Sequence, residues 1–163
     1  MNDIHVKIAE VKLGEPGDIL RTCLGSCVGI VFAWKEKNLY GLAHCFLPEG
    51  EDGTNAISAK YANQAVTSLM TLMKIKKSDV ENIEVYVAGG ANMMNQLIKS
   101  SKAQIGKHNL ESVAKNLALH GFKVKKSNTG QDTGIKIIVD CSEGTVEFVR
   151  LDHINYDVMW KAS

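Results

Sequence analysis

Val28-Gly29-Ile30-Val31-Phe32-Ala33-Trp34, a polar break at Lys35-Glu36-Lys37-Asn38, then Leu39-Tyr40-Gly41-Leu42-Ala43-His44-Cys45-Phe46: the reading of this stretch decides the fold. Both arms are rich in β-formers and the break between them is short, the pattern of a β-hairpin. The break contains no glycine, so it predicts a longer loop with Asn38 in the left-handed region rather than a two-residue primed turn. A turn centred between Lys35 and Glu36 sets Cys27, just before the first arm, directly across from His44. Directly opposed side chains share a face with Cβ atoms about 4.5–5.5 Å apart. A slip of one residue would separate the two onto opposite faces.

Working outward, Ile4 to Val11 alternates as a strand, with Val6 and Ile8 on one face. Gly14-Glu15-Pro16-Gly17 is a turn, and Ile19 to Cys23 is a short strand leading into the Gly25 loop. Downstream, Pro48 to Gly53 is an acidic loop. Ser58 to Lys76 carries Tyr61, Ala65, Leu69 and Met73 at helical spacing. Ile83 to Ala88 reads as a strand ending at Gly89-Gly90, and Asn92 to Lys99 as a short helix. Asn109 is the expected N-cap of a helix over Leu110–His120, with Gly121 just past its end. Phe122–Lys126, Ile135–Asp140 and Thr145–Leu151 complete the strands. The glycine loop Asn128–Gly134 separates the first two, and Ser142-Glu143-Gly144 turns the last pair. The order predicts an α+β fold, largely antiparallel, with helices over one face of the sheet. Residues 1–151 are expected to form one domain, and Asp152–Ser163 is an unassigned tail.

The 163 residues are 45% hydrophobic and 23% charged with a net charge of +1. That suits a folded domain and argues against bulk nucleic-acid binding, which needs a basic face. The clusters Lys74, Lys76, Lys77 and Lys123, Lys125, Lys126 read as solvated surface. No apolar run approaches a membrane span, and Met1–His5 lacks the features of a signal peptide. A cytoplasmic protein with reduced thiols is expected, so Cys23, Cys27, Cys45 and Cys141 are not a disulfide framework.

Cys27 with His44 supplies a thiol nucleophile and its general base. Each alone has a plainer reading, as a core cysteine and a core or edge histidine. The hairpin is what joins them. Gly25-Ser26 leaves backbone amides just before the thiol, suited to lowering its pKa and holding an oxyanion. Thr22 is the nearest hydroxyl to orient the imidazole, and Ser26 is the other candidate hydroxyl. A zinc site from Cys23, Cys27, His44 and Cys45 conflicts with strand alternation, which sends His44 and Cys45 to opposite faces. No metal or cofactor is expected. Gly89-Gly90 and Gly130 are positions where a substrate backbone can approach closely, or they simply serve turns.

Leu24-Gly25-Ser26-Cys27-Val28, Gly41-Leu42-Ala43-His44 through Leu47-Pro48, Lys60-Tyr61-Ala62, Ala88-Gly89-Gly90-Ala91-Asn92-Met93, Ile105-Gly106 with Asn109, and Asn128-Thr129-Gly130 stand in one order along the chain. In these motifs the sequence resembles the chemoreceptor glutamine deamidases of the CheD family, over most of its length up to about Leu151. The resemblance implies a layered sandwich of sheet and helices similar to bacterial deamidating toxins. It implies hydrolysis of selected glutamine side chains on methyl-accepting chemotaxis receptors, and a CheC-type phosphatase as a further partner. It puts the nucleophile on Cys27, the base on His44 and the supporting threonine on Thr22, while Gly25 and Ser26 stay the oxyanion candidates that the residues themselves offer. The sequence departs from the family's pattern at Arg21-Thr22-Cys23, at Lys107-His108 before Asn109, and at Gln131 after Gly130. Two other readings share the same motifs: a non-catalytic regulator that binds receptor and phosphatase, and a receptor glutamate methylesterase working through the same thioester.

Overall fold

The computed structural model describes residues 1–51, 56–92 and 104–151. In chain order its elements are β1 (Asn2–His5), β2 (Val11–Gly14), β3 (Asp18–Leu24), β4 (Val28–Trp34), β5 (Leu39–Cys45), α1 (Ala62–Met73), β6 (Glu84–Gly89), α2 (Ile105–Leu119), β7 (Val124–Thr129), β8 (Ile135–Asp140) and β9 (Thr145–Arg150). They build two sheets, one ordered β1-β3-β8-β9 and the other β2-β5-β4-β6-β7. Pairing is antiparallel except for β1 with β3 and β6 with β7.

Every residue of β4 is buried, which is why its sequence is one continuous apolar run rather than an alternation. Ile30, Phe32 and Trp34 point toward the helices. There they pack with Ala65, Leu69 and Met73 of α1, with Val113 and Leu117 of α2, and with Phe122. Phe32 and Phe122 meet with ring centroids 4.5 Å apart. Val31 and Ala33 point the other way, into a second core with Leu20, Leu24, Leu42, Ala88, Ile137 and Val139 between the two sheets. The layers are therefore sheet, sheet, helices. The fold is α+β with both helices on one face of the five-stranded sheet, as expected.

The hairpin forms with Lys35–Lys37 in a 3₁₀ turn and Asn38 at φ 49°, the left-handed residue anticipated. The turn centre falls one residue later than anticipated, so His44 pairs with Gly29 and not with Cys27. That displacement moves the partner by two positions, which preserves the face.

Other boundaries differ as well. The single strand expected over Ile4–Val11 is two strands in different sheets. The chain crosses between them through residues 6–10, where Ala9 takes φ 70° and Glu10 N–H bonds the Lys7 carbonyl. α1 begins at Ala62 rather than at Ser58. Ser58 is held extended by Ser68, whose Oγ accepts from Ser58 N–H and donates to Ser58 O, each at 3.0 Å. Asn109 lies inside α2, not at its N-cap; the helix starts at Ile105. β7 runs on to Thr129, into the span read as a loop. The expected helix over Asn92–Lys99 falls almost wholly outside the described residues, as does the tail Asp152–Ser163.

Candidate functional site

β3 alternates Leu20, Thr22 and Leu24 into the inter-sheet layer, leaving Arg21 and Cys23 half-buried on the other face. β5 sends Tyr40, Leu42 and His44 into that same layer from the opposite sheet. Thr22 and His44 meet there: Oγ1 of Thr22 lies 2.7 Å from Nδ1 of His44. The hydroxyl also lies 2.6 Å from the Val6 carbonyl. A carbonyl only accepts and the threonine has one proton. The hydroxyl therefore donates to Val6, and Oγ1 accepts from Nδ1–H of the imidazole. The neutral ring then carries its proton on Nδ1 and leaves the Nε2 lone pair free.

The backbone of His44 is held as closely as its ring. Its N–H donates to the Glu10 carbonyl at 3.0 Å, and its carbonyl accepts from Ala9 N–H at 2.9 Å. The crossover with the left-handed Ala9 thus brackets the histidine and, through Val6, its threonine.

Cys27 sits in the bend between β3 and β4 and packs with Leu24, Val31 and Ala88 in the inter-sheet core. It stands two residues before Gly29, the register partner of His44. Side chains so related are diagonal neighbours on one face, with Cα atoms about 7–8 Å apart and long side chains within reach. The expected direct opposition is thus replaced by a diagonal one in the same layer. The turn takes in Lys35–Asn38, two residues more on the β5 side than a turn of Lys35-Glu36 alone, and this moves its centre by one residue.

Three successive carbonyls of the bend are tied down. Gly25 O accepts from Ala91 N–H at 3.0 Å, Cys27 O from Gly90 N–H at 2.8 Å, and Ser26 O from Asn109 Nδ2 at 3.1 Å. Gly89, at φ 100°, lies so close beneath that a Cβ there would come 2.3 Å from Cys27 O. Gly89-Gly90 therefore serves the bend itself, and in that role it does not supply an opening for a substrate backbone.

Burial pushes the Cys27 thiol up to about 11 and pulls the His44 imidazole down to about 4. The thiol is not lowered by nearby amides, as the sequence reading had it. Desolvation in that buried layer raises it instead, and the resting pair is a neutral thiol and a neutral imidazole. Cys45 points away into the helix-side core, where its Sγ lies 3.5 Å from the Leu47 carbonyl, so the neighbouring residues His44 and Cys45 do occupy opposite layers. Among the described residues no group of His, Cys, Asp and Glu is arranged to hold a metal ion.

The sequence reading missed Val6, Ala9 and Asn109 as supports. Val6 and Ala9 act through backbone atoms, which leave no signature in residue type. Asn109 did leave one: a polar residue in the Gly106, Val113, Leu117 stripe that α2 buries.

The family model for CheD chemotactic sensory transduction matches residues 46–150. The chain belongs to the CheD family. The matched span starts beyond Cys27 and His44 and contains the glycines and Asn109 that hold the bend in place. Among CheD relatives, the chain is 34% identical to a probable chemoreceptor glutamine deamidase CheD of Bdellovibrio bacteriovorus over 82% of this chain and 85% of that protein. It is 28% identical to a probable chemoreceptor glutamine deamidase CheD 2 of a Ruegeria species, over 94% and 95% of the two chains. A solved structure of the hypothetical protein YfiH from Bacillus licheniformis is similar at TM-score 0.46 and 14% identity, over 76% of this chain and 51% of that one.

Proposed function

We propose that this CheD-family chain is a thiol-dependent protein-glutamine deamidase that converts glutamines of methyl-accepting chemotaxis receptors to glutamate, contributing to adaptation in chemotaxis. Family membership and the activity for which its relatives are named support the reaction. The observation that carries the mechanism is the Val6–Thr22–His44 chain, which leaves Nε2 of a neutral imidazole as the free base on the layer that holds Cys27.

The residue roles are as follows. The Cys27 sulfur attacks the side-chain carboxamide carbon while its proton passes to Nε2 of His44. Because the resting thiol and imidazole are both neutral, this transfer accompanies the attack and no thiolate is stored beforehand. The tetrahedral oxyanion is held by the N–H groups of Cys27 and Ser26, a contribution of about 3 kcal/mol per donor. Collapse returns the proton from imidazolium to nitrogen and expels ammonia, leaving a thioester. His44 then takes a proton from water as its oxygen attacks the thioester carbon. The second collapse frees glutamate and restores the thiol. Thr22 is a positioning residue for the ring and contributes no charge. No cofactor enters.

The receptor's glutamine-bearing segments are cytoplasmic, so this reading puts the enzyme in the cytoplasm. No described helix is long and apolar enough to cross a membrane, which is compatible with that placement. A CheC-type phosphatase is proposed as a second protein partner on the strength of the family resemblance, with co-purification as its test. The reaction is tested by intact-mass analysis of a receptor cytoplasmic fragment incubated with the protein. A gain of about one mass unit per site, lost with Cys27→Ala, is expected, because an amide becomes an acid. A loss of a methylene would instead identify ester hydrolysis. An unchanged signalling effect of Cys27→Ala would identify binding as the function.

A further inference from the structure

We infer that Asn109 is a positioning residue for the oxyanion: it aims the Cys27 N–H by holding the other end of the same peptide unit. The inference rests on the deamidase reading above.

Asn109 is fully buried in the interior of α2. Its Nδ2 donates to Ser26 O and to Phe46 O, both at 3.1 Å. Two carbonyl acceptors facing one amide nitrogen fix which way the amide points. Its Oδ1 is buried with no hydrogen-bond partner among the described residues, a costly arrangement for a residue that merely fills space. Leucine would fill it without that cost, so it is the donor end that needs explaining.

The two acceptors flank the two reactive side chains. Ser26 immediately precedes Cys27, and Phe46 follows His44 by two. In a planar trans peptide the C=O of one residue and the N–H of the next point in opposite directions. Holding Ser26 O therefore turns Cys27 N–H the opposite way, away from α2. Ala91 N–H does the same for the preceding peptide through Gly25 O, which aims Ser26 N–H. The second bond, to Phe46 O, locks the bend to the end of β5, so the donor and the base are referenced to one side chain.

α2 is docked for this purpose by a close backbone approach. A Cβ at Gly106 would come 2.6 Å from both Gly90 O and Ala91 O. Gly106 and Asn109 are three residues apart and share a helix face. The glycine brings the helix onto the 90–91 backbone, and the asparagine reaches past it to the bend.

The test uses the full chain, with a receptor cytoplasmic fragment as substrate and iodoacetamide as a second probe of Cys27. Alkylation displaces iodide from an sp³ carbon and builds no oxyanion, so it reports the thiol and its base but not the hole. Asn109→Ser and Asn109→Ala are expected to lower kcat by about 10- to 1,000-fold, the range for losing an oxyanion donor's alignment. KM and the alkylation rate should stay within about threefold. A kcat equal to wild type, or alkylation falling in step with kcat, overturns the inference. If both variants fail to fold, hydrogen exchange at the Asn109 side-chain NH₂ in the wild-type protein decides: strong protection supports it, and exchange at the free-asparagine rate overturns it. A wild-type chain that leaves the receptor fragment unchanged sinks the deamidase reading and this inference with it. An active wild type with equally active Asn109 variants sinks the inference alone.

Discussion

On the helix-facing side of the β4–β5 hairpin, Cys45 lies among Ile30, Ala43 and Val66, its sulfur against the Leu47 carbonyl. On the sheet-facing side, Cys27 lies among Leu24, Val31 and Ala88, in the layer that also receives His44 and Thr22. Both thiols are buried, and burial raises both, to about 12 for Cys45 and about 11 for Cys27. Acidity therefore does not distinguish them. What differs is the neighbouring layer. Cys45 lies in the apolar cluster beneath the helices, whereas on the face of Cys27 β5 of the same sheet brings the imidazole and β3 of the second sheet brings the hydroxyl that orients it. A buried cysteine becomes a candidate nucleophile here through the base placed on its face, not through a lowered pKa.

The sharpest break of that comparison is Cys27→Ala against Cys45→Ala. We expect the first to cut deamidation of a receptor fragment by about 10⁴-fold or more, with unfolding by urea little changed. His44→Gln comes next, with a loss of about 10²- to 10⁴-fold, the usual worth of a general base; a loss under tenfold would remove His44 from that role.

Acid stability sharpens the contrast from another direction. A histidine held near 4 in the folded chain, against 6.5 when free, binds its proton later than the unfolded chain does. Between those values the unfolded state holds more protons, so stability is full above about pH 6.5 and declines as pH falls toward 4. The span corresponds to about 3 kcal/mol. Urea midpoints measured from pH 7 to pH 4 should show that decline in wild type and much less of it in His44→Gln. The reaction rate, which needs the neutral ring, should stay flat down to about pH 5.

Thr22→Val keeps the shape and removes the hydroxyl, leaving Nδ1–H and Val6 O without their shared partner. A cost of about 1–3 kcal/mol is expected, read as slower turnover with KM preserved. The smallest effect belongs to the other face: Cys45→Ala should cost about 1–2 kcal/mol of stability and leave turnover within threefold of wild type.

Much of this arrangement was legible in the residues. The hairpin arms, the Asn38 turn, β8 and the two helices carry strong local signals: continuous β-formers, a polar break, helical spacing. Strand parity put His44 and Cys45 on opposite faces, and the structure agrees. The register was harder, because a four-residue loop without glycine gives no marker for its centre. It cost two positions at Cys27 yet kept the face, since the side-chain period is two. The split of Ile4–Val11 escaped because Ala9, whose backbone enters the left-handed region, is not a residue type that announces a break. Asn109 was misread for a related reason. Asparagine before an apolar helical run is a standard cap signal, and only the third dimension brings it to Ser26 and Phe46.

Cys27 and His44 lie in the first third of the chain, but the parts that ready them are spread from Val6 to β8, the antiparallel neighbour of β3 that ends at Asp140. A nascent chain emerging from the ribosome carries sulfur and imidazole long before it owns the helix that steadies the bend. Products of premature termination before residue 109 are thus expected to be inert. On the proposed mechanism, synthesis itself then withholds hydrolysis until α2 and β8 have been made.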